Sequence, residues 1–172
     1  MKKAALLLLV LGVTAPAHAG GKPPLKHACQ LVTPHEVSAI MGRKMTATVD
    51  TPTGCRWGGV PRPEAGLELN GFGTKTAAKQ YLASVVSDYE LCINQPDQFL
   101  PGSGLGDEAW VDGCNSNVVF RVARVVGQFT AFTPNGVKEG SSADTHRTAA
   151  LARKAVRRLH KLRCPPSFCR GT

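Results

Sequence analysis

The residues of this chain that could carry chemistry are its cysteines, a few histidines, one glycine-rich loop, one adjacent acidic pair and a run of cations near the C-terminus. The cysteines are Cys29, Cys55, Cys92, Cys114, Cys164 and Cys169. Zinc ligation needs thiolates in close pairs; only Cys164 and Cys169 are close, and no His is well placed beside them. In an exported chain an even number of cysteines reads instead as three disulfides. Six cysteines allow 15 connectivities, and spacing alone does not choose among them.

Gly102-Ser103-Gly104-Leu105-Gly106 has the composition of a phosphate-cradling loop but precedes a strand. Such loops follow a strand and open a helix whose N-terminus faces the phosphate. The glycines are therefore read as conformational, and Ser103 lacks the Gly-x-Ser-x-Gly setting of a nucleophile. Among the histidines, His35-Glu36 has no second His one turn on. His146 and His160 stand about 21 Å apart along one helix, too far to share a metal, and with His27 they read as solvated surface residues. Asp107 and Glu108 are neighbours, which in a strand sends their side chains to opposite faces. No catalytic constellation emerges, so the chain reads as a non-enzyme without metal or other cofactor.

The cations are harder to set aside. Arg147, Arg153, Lys154, Arg157, Arg158, Lys161 and Arg163 lie on the polar side of the last helix, with no acid after Asp144. A solvated helix face usually mixes signs in i,i+4 pairs. A stripe of one sign attracts polyanions, which makes Arg153, Lys154, Arg157, Arg158 and Lys161 a candidate polyanion-binding set. The competing interpretation is a plain solvated helix face.

The elements that must position these residues start after an export signal. Lys2 and Lys3 precede an apolar run from Ala4 to Val13, and Ala17-His18-Ala19 is a small-x-small cleavage site, so residues 1–19 read as a signal peptide cut before Gly20. The apolar run is about half the roughly 20 residues of a spanning helix, and nothing else approaches that length. A soluble periplasmic or secreted product follows, with no lipid anchor because no Cys stands at the cleavage site. The two signal lysines lower the formal charge of +9 to +7. Residues 20–28 form a Pro/Gly-rich flexible leader, 29–163 a single domain, and 164–172 a disulfide-closed tail.

Within the domain, Thr33-Pro34-His35-Glu36 is a capping box that opens a helix over Pro34–Met41, stapled by Val32 and Val37 and closed by Gly42. Met45, Ala47 and Val49 alternate with polar residues as in a half-buried strand. Cys55-Arg56-Trp57 forms a second strand, residues 61–66 a loop, and Leu67 and Leu69 a third strand. Ala78, Tyr81, Leu82, Val85, Val86 and Tyr89 space a helix from Thr74 to about Asp88. After a long loop, 92–108, Ala109-Trp110-Val111 is a strand, and Asn117–Thr133 a hairpin turning between Ala123 and Gln128. Leu151, Ala152, Ala155, Val156, Leu159 and Leu162 mark a last helix over Asp144–Arg163. The order α-βββ-α-βββ-α predicts an α+β fold: a disulfide-stabilised antiparallel sheet with helices packed on one face.

Several of these residues resemble a known family. Ala28-Cys29-Gln30-Leu31-Val32-Thr33-Pro34-His35-Glu36-Val37 is similar to the Cys-x-Leu-Leu-Thr-x-x-Glu-Val opening of a family of small exported domains of unknown function, common as lipoproteins in actinobacteria. Cys55-Arg56-Trp57 resembles its Cys-Thr-Trp strand, and Gly104-Leu105-Gly106-Asp107-Glu108-Ala109-Trp110 its Gly-Leu-Gly-Asp-Glu-Ala-aromatic motif. The extracellular sensor domains of some mycobacterial kinases are similar. The resemblance spans about Ala28 to Leu162 and implies an α+β domain, a Cys29–Cys55 disulfide and no catalytic residues. The chain departs from the pattern in lacking a lipidation Cys and in having Cys92, Cys114, Cys164 and Cys169. The remaining pairs are expected to be Cys92–Cys114 and Cys164–Cys169.

The function expected is that of an exported monomeric domain that binds an anionic envelope polymer, a lipid surface or a partner protein. Nucleic acid is a poor candidate outside the cytoplasm. The alternatives are a structural or accessory secreted protein, or an enzyme of a class the residues do not reveal.

Overall fold

The computed structural model describes residues 25–59, 62–89, 97–98, 103–112, 117–131 and 142–162. The expected signal peptide, the Cys92–Cys114 and Cys164–Cys169 pairs, and Arg163 lie outside the described residues. A 3-10 turn (Ala28–Gln30) leads into helix α1 (Pro34–Met41). Strands β1 (Thr46–Asp50), β2 (Gly54–Gly59) and β3 (Arg62–Gly71) follow, then helix α2 (Lys75–Tyr89). Strands β4 (Asp97–Gln98), β5 (Glu108–Val111), β6 (Val118–Val122) and β7 (Val125–Ala131) precede helix α3 (Ser142–Leu159). The strands make one antiparallel sheet in the order β1-β2-β3-β7-β6-β5-β4. The fold is α+β, as the element order predicts.

The capping box forms as its residues dictate. Glu36 N donates to Thr33 Oγ1 at 3.3 Å, Thr33 N donates to Glu36 Oε2 at 2.9 Å, and Gly42 closes α1 in the left-handed region. Packing begins by Leu25, which is buried together with Ala28, ahead of Cys29. The Cys29–Cys55 disulfide fastens the 3-10 turn to β2, with the two Cα atoms 5.0 Å apart. Beside Cys55, Trp57 is fully buried and stacks on Phe129 of β7 with ring centroids 5.7 Å apart.

The layering differs from the expectation of helices on one face. Val118, Phe120, Val122, Phe129 and Ala131 point to the face covered by α1 and α3. Val119 and Val126 point to the other face, where α2 packs Ala78, Leu82 and Val86 on them. Burial on both sides leaves β6 and the start of β7 apolar at nearly every position, as a strand covered on both faces requires. Phe120 lies flat across Gly127, where a Cβ would overlap its ring.

Two further expectations are corrected. The ladder between β1 and β2 shifts register between Ala47 and Val49, so edge strand β1 is exposed throughout and Val49 faces solvent at 40% exposure. Of the three alternating apolar residues, only Met45, just ahead of the strand, is buried. The 61–66 segment is not a loop from Arg62 on, because β3 starts there and takes Pro63 into a second register shift, opposite Gly58.

A candidate anion-binding site on helix α3

Lys154, Arg157, Arg158 and Lys161 occupy positions i, i+3, i+4 and i+7, which places them on one side of α3 over about 10 Å of axis. The helix continues past Leu159 in tight turns, with Lys161 N donating to the Arg158 carbonyl at 2.9 Å, so Lys161 stays on that side. The opposite side carries Leu151, Ala152, Ala155 and Val156, all buried against the sheet. Arg157 and Arg158 sit in the last turn, where cations also oppose the negative end of the helix dipole.

The stripe is not free of acid, as the sequence suggests. Helix α1 packs beside α3 and delivers Glu36 into it. Arg158 Nη1 donates to Glu36 Oε2 at 2.6 Å and Arg158 Nη2 to Glu36 Oε1 at 2.9 Å, a two-pronged pair. Lys154 Nζ donates to Glu36 Oε1 at 3.2 Å, and Thr33 adds its amide and hydroxyl to Oε2. Arg158 holds Glu36 well below the ordinary carboxylate range, Thr33 and Lys154 add to this, and partial burial opposes it. Arg158 Nη1 also donates to the Leu31 carbonyl at 2.8 Å, so the guanidinium has an anchor besides the carboxylate. Glu36 lies more than a hundred residues upstream, and no local pattern points from it to Lys154 or Arg158.

Around this carboxylate Lys154, Arg157, Arg158 and Lys161 line an open hollow of about 240 Å³. Among the described residues four cations and one acid line it, an excess of three positive charges; Lys154 and Arg158 hold Glu36, and Arg157 and Lys161 are exposed at its rim. The other sequence candidates are placed elsewhere. Arg153 Nε donates to the Ser103 carbonyl at 2.8 Å, fastening the glycine loop to α3, and Arg147 pairs with Asp144 at 3.0 Å. Arg153 thus ties the glycine loop to α3 and does not line the hollow.

The glycine loop and the acidic pair serve the hairpin. Arg121, with its side chain 5% exposed, donates to Asp107 Oδ2 at 2.8 Å, to the Ala123 carbonyl at 2.9 Å and to Glu108 Oε2 at 3.4 Å. Asp107 Oδ2 also accepts from Ala123 N at 2.8 Å, holding the turn between β6 and β7 where Ala123 takes a positive φ. Gly106, at φ 92°, passes so close to the Arg121 carbonyl that a Cβ would overlap it. Cys29, Asp50 and Cys55 bring ligand-type atoms within 4.8 Å of one another, but the two sulfurs are bonded to each other, which leaves no thiolate for a metal. His27, His35, His146 and His160 are all exposed.

A larger hollow of about 400 Å³ lies on the other sheet face, among Val49, Thr51, Arg56, Glu68 and Asn70. Among the described residues its one cation, Arg56, faces Glu68 at 3.5 Å, so these charges balance and its chemistry is less directed than that of the α3 site. Among the described residues no helix is long and apolar enough to cross a membrane. No family model matches the chain, and no curated protein matches it.

Proposed function

We propose that this chain is an exported, disulfide-stabilised, non-enzymatic domain that binds a phosphate-bearing anionic polymer of the cell envelope at Lys154, Arg157, Arg158 and Lys161. The observation that carries the reading is the excess of three positive charges gathered around Glu36 in one open hollow. Guanidinium forks and ammonium groups suit phosphate oxygens, and the guanidinium at Arg158 is held in place by Leu31. A polymer suits the site better than a lipid surface. The apolar side of α3 is spent on the core, and among the described residues the exposed large hydrophobics, Val49 and Tyr81, belong to the β1 edge and to α2. Export rests on the N-terminal signal pattern, and the Cys29–Cys55 disulfide supports it. The same disulfide supports the resemblance to small exported Cys-Trp domains.

Binding of the oxidised chain to long-chain polyphosphate, measured at low and at physiological salt, tests the reading. Affinity falls steeply as the screening length shortens to about 8 Å. Arg157→Gln with Lys161→Gln lowers it further while the fold is kept. A double variant that binds as tightly as the parent overturns the assignment. Binding to anionic vesicles without binding to polyphosphate replaces the polymer by a lipid surface.

A further inference from the structure

The α3 site already contains an anion, its own Glu36. This carboxylate takes the two least exposed of the four cations, Lys154 and Arg158, and leaves Arg157 and Lys161 open. Resting on the reading above, we infer that Glu36 is a built-in competitor that holds Lys154 and Arg158 against carboxylate ligands and yields them to phosphate groups, so that it sets the ligand class of the site.

The geometry makes the exchange feasible on both sides. Arg158 Nη1 stays on the Leu31 carbonyl, so its fork stays aimed at the hollow. Glu36 Oε2 stays on the Thr33 amide and hydroxyl, so the cap of α1 survives. Displacement therefore costs the bonds of Oε1 to Arg158 Nη2 and Lys154 and little else. An incoming carboxylate offers what Glu36 already supplies, one charge on two oxygens, and must compete with a group tethered in the site. A terminal phosphate group offers three acceptor oxygens and greater charge, and the phosphates next to it in a chain reach Arg157 and Lys161 as well. The site thus rejects carboxylates by prior occupancy, a specificity device that removes binding energy from the wrong ligand.

The test compares inorganic tripolyphosphate with citrate by calorimetry on the parent, Glu36→Gln, Glu68→Gln and Arg157→Gln/Lys161→Gln proteins. Glu68 lies in the balanced hollow on the other sheet face, so its variant changes net charge by the same amount elsewhere. The parent prefers tripolyphosphate by about tenfold or more, equivalent to about 1.4 kcal/mol. Glu36→Gln binds both ligands more tightly but gains more for citrate, which narrows the preference to about threefold or less. Glu68→Gln keeps the parent's ratio. An unchanged ratio in Glu36→Gln overturns the competitor role, whereas tight tripolyphosphate binding by the Arg157/Lys161 variant overturns the site itself. If Glu36→Gln does not fold, the side-chain carboxyl resonance of Glu36 in the parent decides. A saturable shift with tripolyphosphate and none with citrate supports the inference, and a resonance that neither ligand moves overturns it.

Discussion

Two ion-pair clusters in this molecule use the same chemistry to opposite ends. At the β6–β7 hairpin one buried cation, Arg121, is enclosed by two acids and a carbonyl, and it fixes the turn. On α3 one acid, Glu36, is held by Lys154 and Arg158, and two further cations, Arg157 and Lys161, stay exposed at the rim of an open hollow. In the first cluster two acids are balanced by two cations, Lys79 standing 3.6 Å from Glu108 besides Arg121, and the guanidinium is sealed; in the second the cations outnumber the acid, and Arg157 and Lys161 reach solvent. Ion pairing alone therefore does not mark a site. The sign and size of the excess, and whether it is open to solvent, separate a fastening from a binding surface.

The comparison can be scaled, sharpened or broken by substitution. The largest effect belongs to neither cluster and sets the scale. Cys29→Ser with Cys55→Ser opens a loop spanning 26 residues in sequence, and chemical denaturation should show a loss of about 3.5 kcal/mol in the chain-entropy account. Arg121→Met strips Asp107 of its guanidinium beside a loosened turn, while Glu108 keeps Lys79, and should cost about 2 kcal/mol. A loss below about 1 kcal/mol would mean that the hairpin cluster is no more than a surface pair.

Glu36→Gln keeps the capping box, for which Gln is also competent, and should cost about 1–2 kcal/mol. It should also change the acid limb of stability. The Glu36 carboxyl is held below its unfolded value, so its contribution is complete above about pH 4.3 and drains as pH falls through the depressed folded value. The parent should therefore lose stability below about pH 4.3 more steeply than Glu36→Gln. Parallel profiles would remove Glu36 from the account. Smallest of all, Arg157→Gln and Lys161→Gln should each move stability by less than about 0.5 kcal/mol, since both side chains are exposed. A larger loss would show that the rim cations are structural, like Arg121, and the contrast between the clusters would collapse.

Much of this molecule is written locally. The Thr33–Glu36 capping box, the left-handed stop at Gly42, the α2 stripe through Ala78 and Leu82, and the cations of α3 are patterns within one or two turns of chain, where 3.6-residue geometry alone decides who meets whom. The α+β class follows from the element order for the same reason. Cover on both faces of the sheet was also legible, in Val118-Val119-Phe120 of β6, although the element order points to helices on a single face. Tertiary structure alone decided the rest. The outward turn of Val49 depends on a register shift against β2, and the tie of Arg153 to the glycine loop depends on a carbonyl 50 residues away. The joining of Glu36 to Arg158 spans 122 residues. Such contacts arise where two elements are pressed together by cores they do not share in sequence. No periodicity carries them, and only the packing of α1 on α3 turned a stripe of like charges into a hollow with its own anion.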